Sequence, residues 1–205
     1  LIDADKNLPP AVRFLLAKSL YQHGQFITTH LDYVPSGTTN HYLADLAGLL
    51  QIASVFPSAP DSSRWIALCL QELHSEMDRT VLEDGGSYEG STGYHRLVTE
   101  MFLHSTMAAL RLSVGQRAGA AGTGQARFRN LTVNPSVWRF DPRRDEVFSG
   151  EYWRRLRAMV DVTANLTSPT GRVPQFGDQD DGRFLKLDWP LSDSGSSSTR
   201  EEGRD

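Results

Sequence analysis

Apolar residues recur every three or four positions along five stretches of the chain, which is the period of a helix with one buried face. The first covers residues 10–28 and carries Val12, Leu15, Leu16 and Leu20 on one stripe. The second opens after Thr38 or Thr39, either a suitable N-cap, and closes before Pro57; its stripe is Leu43, Leu46, Leu50 and Ala53. The third begins near Asp61 or Ser62, ends by Asp84-Gly85-Gly86, and aligns Ile66, Leu70, Leu73 and Met77. The fourth opens near Ser91 or Thr92 and is expected to reach Gly115, with Leu97, Met101, Ala108 and Leu112 inward. The fifth covers residues 150–166, with Trp153, Leu156, Val160 and Thr163 on its stripe.

The remaining segments differ in character. Residues 116–149 have no sustained period, yet Phe128, Leu131, Val133, Val137, Trp138 and Phe140 make them too apolar for a free linker, so a packed loop or short hairpin is expected. Pro169-Thr170-Gly171 reads as a turn, and residues 173–187 leave room for short strands. Residues 191–205 are dominated by Ser, Gly and charge, and disorder is expected there. The pattern predicts a mainly all-α unit over residues 1–168 with an irregular insertion, then a linker over residues 169–190 that begins a β-rich region.

Successive helices joined by short connections alternate in direction. Helices two and four then start at the rim where helix five ends, which gathers residues 38–41, 84–94 and 171–183 at one end of the array. Those segments also hold the least ordinary polar residues of the chain.

Composition narrows the partners. With 205 residues, a net charge of −4 and a pI near 5.9, the chain has length for one core and no basic field suited to nucleic acid or an anionic membrane. No apolar run approaches the ~20 residues that span a bilayer. The lone cysteine, Cys69, sits among Trp65, Ile66, Leu68 and Leu70 and reads as a small buried hydrophobe. The chain begins with Leu1 and shows no signal-peptide pattern.

Three polar clusters are candidates for chemistry. Asn40 and His41 fall in the first turn of helix two, where the helix dipole disfavours imidazolium and an amide can donate to a carboxylate; taken alone, the pair reads first as helix caps. The run Asp84-Gly85-Gly86-Ser87-Tyr88-Glu89-Gly90-Ser91-Thr92-Gly93-Tyr94-His95 places four glycines between positions 85 and 94, so its backbone is expected to come close to something. A packed turn with tied tyrosines is the plain alternative. Phe176-Gly177-Asp178-Gln179-Asp180-Asp181-Gly182-Arg183 resembles a calcium loop only superficially. Its glycine falls fifth rather than sixth, and Trp189 occupies the twelfth position in place of Glu. His23, His30, His74 and His104 show no metal-ligand spacing, so no metal site and no cofactor are expected in this chain.

Asn40-His41 followed by Leu46-Ala47-Gly48-Leu49-Leu50, then the 84–95 run, then Gly177-Asp178-Gln179-Asp180-Asp181-Gly182, resembles the heparinase II/III-like polysaccharide lyases and their alginate-lyase relatives. The resemblance covers about residues 37–187. It implies part of an α/α-toroid of antiparallel helical hairpins ahead of a β-sandwich, elimination across uronic-acid linkages, and a periplasmic or secreted location. It implies catalytic roles for Asn40, His41 and a tyrosine. Tyr94 lies 53 residues after His41 and Tyr88 lies 47 after it; the family spacing, in the low-to-mid fifties, selects Tyr94. Tyr88, Glu89, His95, Arg96 and Asp178 are the expected substrate-binding residues, with Glu89 and Asp178 orienting other groups from behind. The family's further catalytic histidine has no counterpart here, since no histidine follows His104. The chain is therefore expected to be a toroid fragment, inactive alone, with a metal ion conceivable only in the family's C-terminal domain. Val12, Leu16, Trp153 and Leu156 on its terminal helices are the candidates for unpartnered apolar residues.

The expected substrate is an acidic polysaccharide or oligosaccharide. Asn40, with His41, would neutralise a uronate carboxylate, while Tyr94 or His41 would remove the adjacent proton and Tyr94 would protonate the departing oxygen. An inverting glycoside hydrolase using two of Asp84, Glu89, Asp178 and Asp181 is one alternative. A non-catalytic carbohydrate-binding helical domain is the other.

Overall fold

The computed structural model describes residues 8–35, 37–144, 146–178 and 182–184. Within them the fold is all-α: α1 (Pro10–Thr29), α2 (Asn40–Val55), α3 (Ser62–Thr80), α4 (Thr92–Leu110), α5 (Val114–Ala121) and α6 (Gly150–Leu166), with one hairpin of β1 (Ala126–Phe128) and β2 (Leu131–Val133). The hairpin is antiparallel, pairing Ala126 with Val133 and Phe128 with Leu131.

Local chemistry sets the helix starts. The Thr39 hydroxyl accepts from the His41 N–H, which makes Thr39 and not Thr38 the cap of α2. Ser91 and Ser149 cap α4 and α6 by accepting from Tyr94 N and Tyr152 N. The fourth helix does not run on to Gly115. It stops at Leu110, and Ser113 opens α5 through a reciprocal capping box with Gln116.

The core lies around α2, which packs on α1, α3 and α4. Leu43, Leu46, Leu50 and Ala53 are buried as the periodicity predicts, and so are Ile66, Leu70, Leu73 and Met77 on α3. The terminal helices expose most of the apolar residues expected to lack partners. On α1, Val12 and Leu16 stay exposed as expected, and so does Leu15, while only Gly24 is buried; a Cβ there would come within 2.6 Å of the Trp65 ring. On α6 the buried line is Tyr152, Leu156 and Met159, so Leu156 is covered while Trp153 and Val160 face out.

Helix directions follow from cross-contacts. Cys69 Sγ donates to the Leu46 carbonyl and Tyr42 Oη to Glu72, so α2 and α3 are antiparallel. His95 meets Met159 and Thr106 meets Tyr152, so α4 and α6 are antiparallel too. The apolar insertion is clasped rather than loose: Phe140 stacks on His74 and Trp138 on Phe140, and Gln71 accepts from Asn134 N and Trp138 Nε1. The described part of residues 169–184 forms no strand and runs as a strap over the start of α4; the remainder of that expected β-rich stretch, and residues 191–205, lie outside the described residues.

Candidate active site

The starts of α2 and α4 and the strap after α6 meet at one rim. Tyr88 Oη donates to the Thr38 carbonyl at 2.6 Å. Thr92 N donates to the Phe176 carbonyl at 3.1 Å, Thr92 Oγ1 to the Pro174 carbonyl at 2.9 Å, and Ser91 Oγ to the Asp178 carbonyl. Two glycines make this closeness possible. Gly85 has φ +91°, and a Cβ there would lie 2.3 Å from the Ala158 carbonyl carbon. Gly177 has φ +70°, and its Cβ would sit 2.9 Å from the Gly90 oxygen. Neither backbone conformation nor space admits a side chain.

Asn40 stands in the first turn of α2 with its Nδ2 at 3.2 and 3.1 Å from the two Glu89 oxygens and its backbone N at 3.3 Å. A carboxylate at a helix N-terminus is favoured by the unsatisfied N–H groups and the dipole, so Glu89 both caps α2 and fixes the plane of the Asn40 amide. His41 projects outward, its side chain 76% exposed, with Nδ1 3.2 Å from Asp32 Oδ2. Asp32 is itself held by its backbone N–H, which donates to Asp45 Oδ2 at 2.9 Å, and burial pushes the Asp45 carboxyl above the ordinary range. With Nδ1–H donated to Asp32, a neutral His41 presents Nε2 as its acceptor. Tyr94 is half-buried on the first turn of α4, with its backbone N donating to Ser91 Oγ.

The other expected binding residues divide. Tyr88 is at the rim, and burial followed by the charges of Glu89 and Glu76 raises its phenol above the ordinary value. Arg96 points to the strap, donating to the Gly182 carbonyl and lying 3.9 Å from Glu100 Oε1. Asp178 is exposed on the strap and reaches Ser91 through its carbonyl. His95 is not on the rim surface. It is buried between α4 and α6 with Nε2 3.1 Å from the Met159 carbonyl, and burial lowers its pKa. His95 falls one residue beyond Tyr94, and about 100° of helical rotation carries it inward. Gln179, Asp180 and Asp181 lie outside the described residues. Among the described residues no group of three or more His, Cys, Asp or Glu gathers as a metal site.

Sequence reasoning missed Asp32 and Asp45, whose link to His41 crosses the α1–α2 turn. It also missed a network below the rim in which buried Thr38, Tyr42, Glu72 and Glu76 are joined by the partly exposed Arg79. The available signal was two acids one turn apart, Glu72 and Glu76, on the same helix as a fully apolar stripe.

The chain belongs to the heparinase II/III family: residues 4–121 match the family model described as Heparinase II/III N-terminus. It is 30% identical over 169 residues to the heparin-sulfate lyase of Pedobacter heparinus, an alignment covering 82% of this chain and 20% of that protein. It also resembles in fold the solved structure of a heparinase III gene product, with a TM-score of 0.50 and 20% identity over 80% of this chain and 20% of that one. The chain thus spans about a fifth of the length of the relatives it matches.

Proposed function

We propose that this rim is one wall of a lyase site that cleaves a uronic-acid-containing polysaccharide by β-elimination. The observation that carries the reading is the meeting of the α2 start and the 84–94 loop through Asn40 and Glu89. It brings the Asn-His pair to the loop that leads into Tyr94.

The reaction removes the proton α to the uronate carboxylate. The C–H electron pair becomes the new C=C bond, the bond to the glycosidic oxygen breaks, and that oxygen leaves with a proton. Charge builds on the carboxylate, and preorganised donors placed there act on the transition state more than on the ground state. Asn40 suits this task. Glu89 accepts from Nδ2 through both carboxylate oxygens and holds the amide at the rim, where an Nδ2 hydrogen would turn to the substrate carboxylate. His41, oriented through Nδ1 by Asp32, offers the Nε2 lone pair to the α proton when neutral; only as imidazolium would it donate Nε2–H to the carboxylate. Tyr94 supplies a phenol for the proton to the leaving oxygen.

The test is the ultraviolet absorbance of the unsaturated product from an acidic polysaccharide, measured on the full-length protein. His41→Ala and Tyr94→Phe should each lower turnover about 10²–10⁴-fold, the usual contribution of a positioned acid or base. New reducing ends without that absorbance, or full turnover in both variants, would rule the reading out.

A further inference from the structure

Two carboxylates lie buried directly beneath the rim, and the proposed chemistry uses neither. Glu72 is 3% exposed and Glu76 0% exposed, one turn apart on α3. Burying carboxylates is unfavourable unless they are paired and hydrogen-bonded, and an apolar pair of similar volume would join α2 to α3 at least as well. Their presence calls for a reason other than adhesion.

The partners supply it. Arg79 Nη2 lies 2.6 Å from Glu76 Oε1 and 3.1 Å from Glu72 Oε2, with its guanidinium over the Tyr33 ring. One cation for two carboxylates leaves the remaining lone pairs to neutral donors. Thr38 Oγ1 donates to Glu76 Oε2 at 2.6 Å, and Tyr42 Oη donates to Glu72 Oε2 at 3.1 Å. Thr38 and Tyr42 bracket Asn40 and His41, two residues before the first and one after the second. The Thr38 carbonyl in turn accepts from Tyr88 Oη, and Tyr88 adjoins Glu89, which holds Asn40. From one turn of α3, the network therefore reaches both sides of the Asn-His pair and the loop that clamps it. Directional bonds fix rotation and axial position, which apolar packing leaves adjustable by fractions of an ångström.

We infer that Glu76, with Glu72 and Arg79, is a positioning group that sets Asn40, His41 and the Tyr88–Glu89 loop in register for the substrate. This rests on the elimination reading for what is being positioned, though not for the coupling itself. Burial raises the Glu76 carboxyl above its ordinary range despite Thr38 and Arg79. That accords with a group kept where a simple stabiliser would not be.

The experiment compares Glu76→Gln with the full-length wild-type protein. Hydrogen–deuterium exchange is followed by mass spectrometry alongside steady-state kinetics. Exchange at residues 38–43 and 86–90 should speed up by about tenfold or more while residues 46–53 in the middle of α2 stay protected. The kcat should fall at least tenfold with KM within about twofold. Thr38→Val removes only the donor and should reproduce both effects, and Thr38→Ser should restore them; this pair replaces Glu76→Gln if that variant fails to fold. Unchanged exchange and kcat in a folded Glu76→Gln protein would overturn the inference. Faster exchange spread evenly over every helix would overturn it too, because that is the signature of general destabilisation. Local loosening in a protein whose wild type makes no unsaturated product would instead sink the elimination reading and leave the coupling standing.

Discussion

Glu89 closes on Asn40 from across the rim, its two carboxylate oxygens 3.2 and 3.1 Å from one amide nitrogen and one of them 3.3 Å from the backbone N–H of the same residue. Under the elimination reading the acid holds a neutral donor, whereas a hydrolase would use it as catalytic acid or base. Glu89→Gln keeps an acceptor oxygen and the shape of the side chain but loses a charge-assisted bond. Such bonds are worth about 1.5–3 kcal/mol, so elimination should fall roughly 10- to 100-fold and remain measurable by product absorbance. Complete loss of activity with substrate binding retained would favour an inverting hydrolase with Glu89 at the reacting bond.

Asp32 should matter through His41. Asp32→Asn retains a hydrogen-bonding group at the same place but no longer draws Nδ1–H toward a negative charge. Because the pair is exposed, its worth to stability is small, within about 1 kcal/mol, and the melting temperature should barely move. Turnover should drop about tenfold through a less well-oriented imidazole. Equal turnover in Asp32→Asn and wild type would show that His41 finds its orientation without the carboxylate.

Gly85 ties the Glu89-bearing loop to α6 and should not tolerate a side chain. An alanine at φ +91° is strained, and its Cβ would meet the Ala158 and Met159 backbone at 2.3–2.6 Å. Strain of this kind costs about 1–3 kcal/mol before any clash is counted. Gly85→Ala should therefore lower stability by at least about 2 kcal/mol in denaturant titration. Gly90→Ala is a useful contrast: its φ is +65°, but nothing lies within 4 Å of the added carbon. A Gly85→Ala protein no less stable than Gly90→Ala would mean that the loop and α6 separate easily.

Stability should also depend on two buried imidazoles. Burial lowers the pKa of both His74 and His95 in the folded state. A depressed histidine binds fewer protons folded than unfolded, so its contribution is intact above the unfolded value near 6.5 and is lost as pH falls below it. Melting temperature should fall between pH 7 and pH 5, by roughly 2–4 °C for each 1 kcal/mol lost in a domain of this size. His95→Gln should reduce the dependence if His95 carries part of it. A melting temperature flat over that interval would show that both rings are accommodated protonated.

Local chemistry was legible in the chain and distant chemistry was not. Helix α6 begins and ends at Gly150 and Leu166, the bounds its apolar period predicts. The rim followed from counting helix reversals, and it survives the insertion of α5 because α6 still runs antiparallel to α4. Helix α5 itself was readable from Ser113 and Gln116, three apart, but the apolar run across Leu110, Leu112 and Val114 masked the break. The exposure of Val12 and Leu16 was legible from their place on a terminal helix, since a periodic apolar face says that a helix can be buried, not that a partner is at hand. The Thr38–Glu76 and Asn40–Glu89 bonds join residues 38 and 49 positions apart, and no local pattern encodes such pairings.

The unpartnered face of α1 carries the last prediction. Phe14, Leu15 and Phe26 are 68, 62 and 61% exposed, and Val12 and Leu16 add 40 and 42%. A single exposed leucine is ordinary, but Val12, Leu15 and Leu16 lie within about 100° of one another on one side of α1, with Phe14 on another side and Phe26 farther along, and exposed apolar surface of this extent drives association. Leaving each in water forgoes part of the roughly 1.5–3 kcal/mol that full burial would give. Several such losses are comparable with the 5–15 kcal/mol net stability typical of a domain. Residues 1–205 expressed by themselves should therefore self-associate or melt broadly, and should show no elimination of an acidic polysaccharide. Replacing Phe14 and Leu15 by Glu should shift the chain toward monomer in light scattering, since neither side chain is part of the core. A sharp, reversible transition from a monomeric and catalytically active preparation of these residues alone would contradict the prediction on both counts.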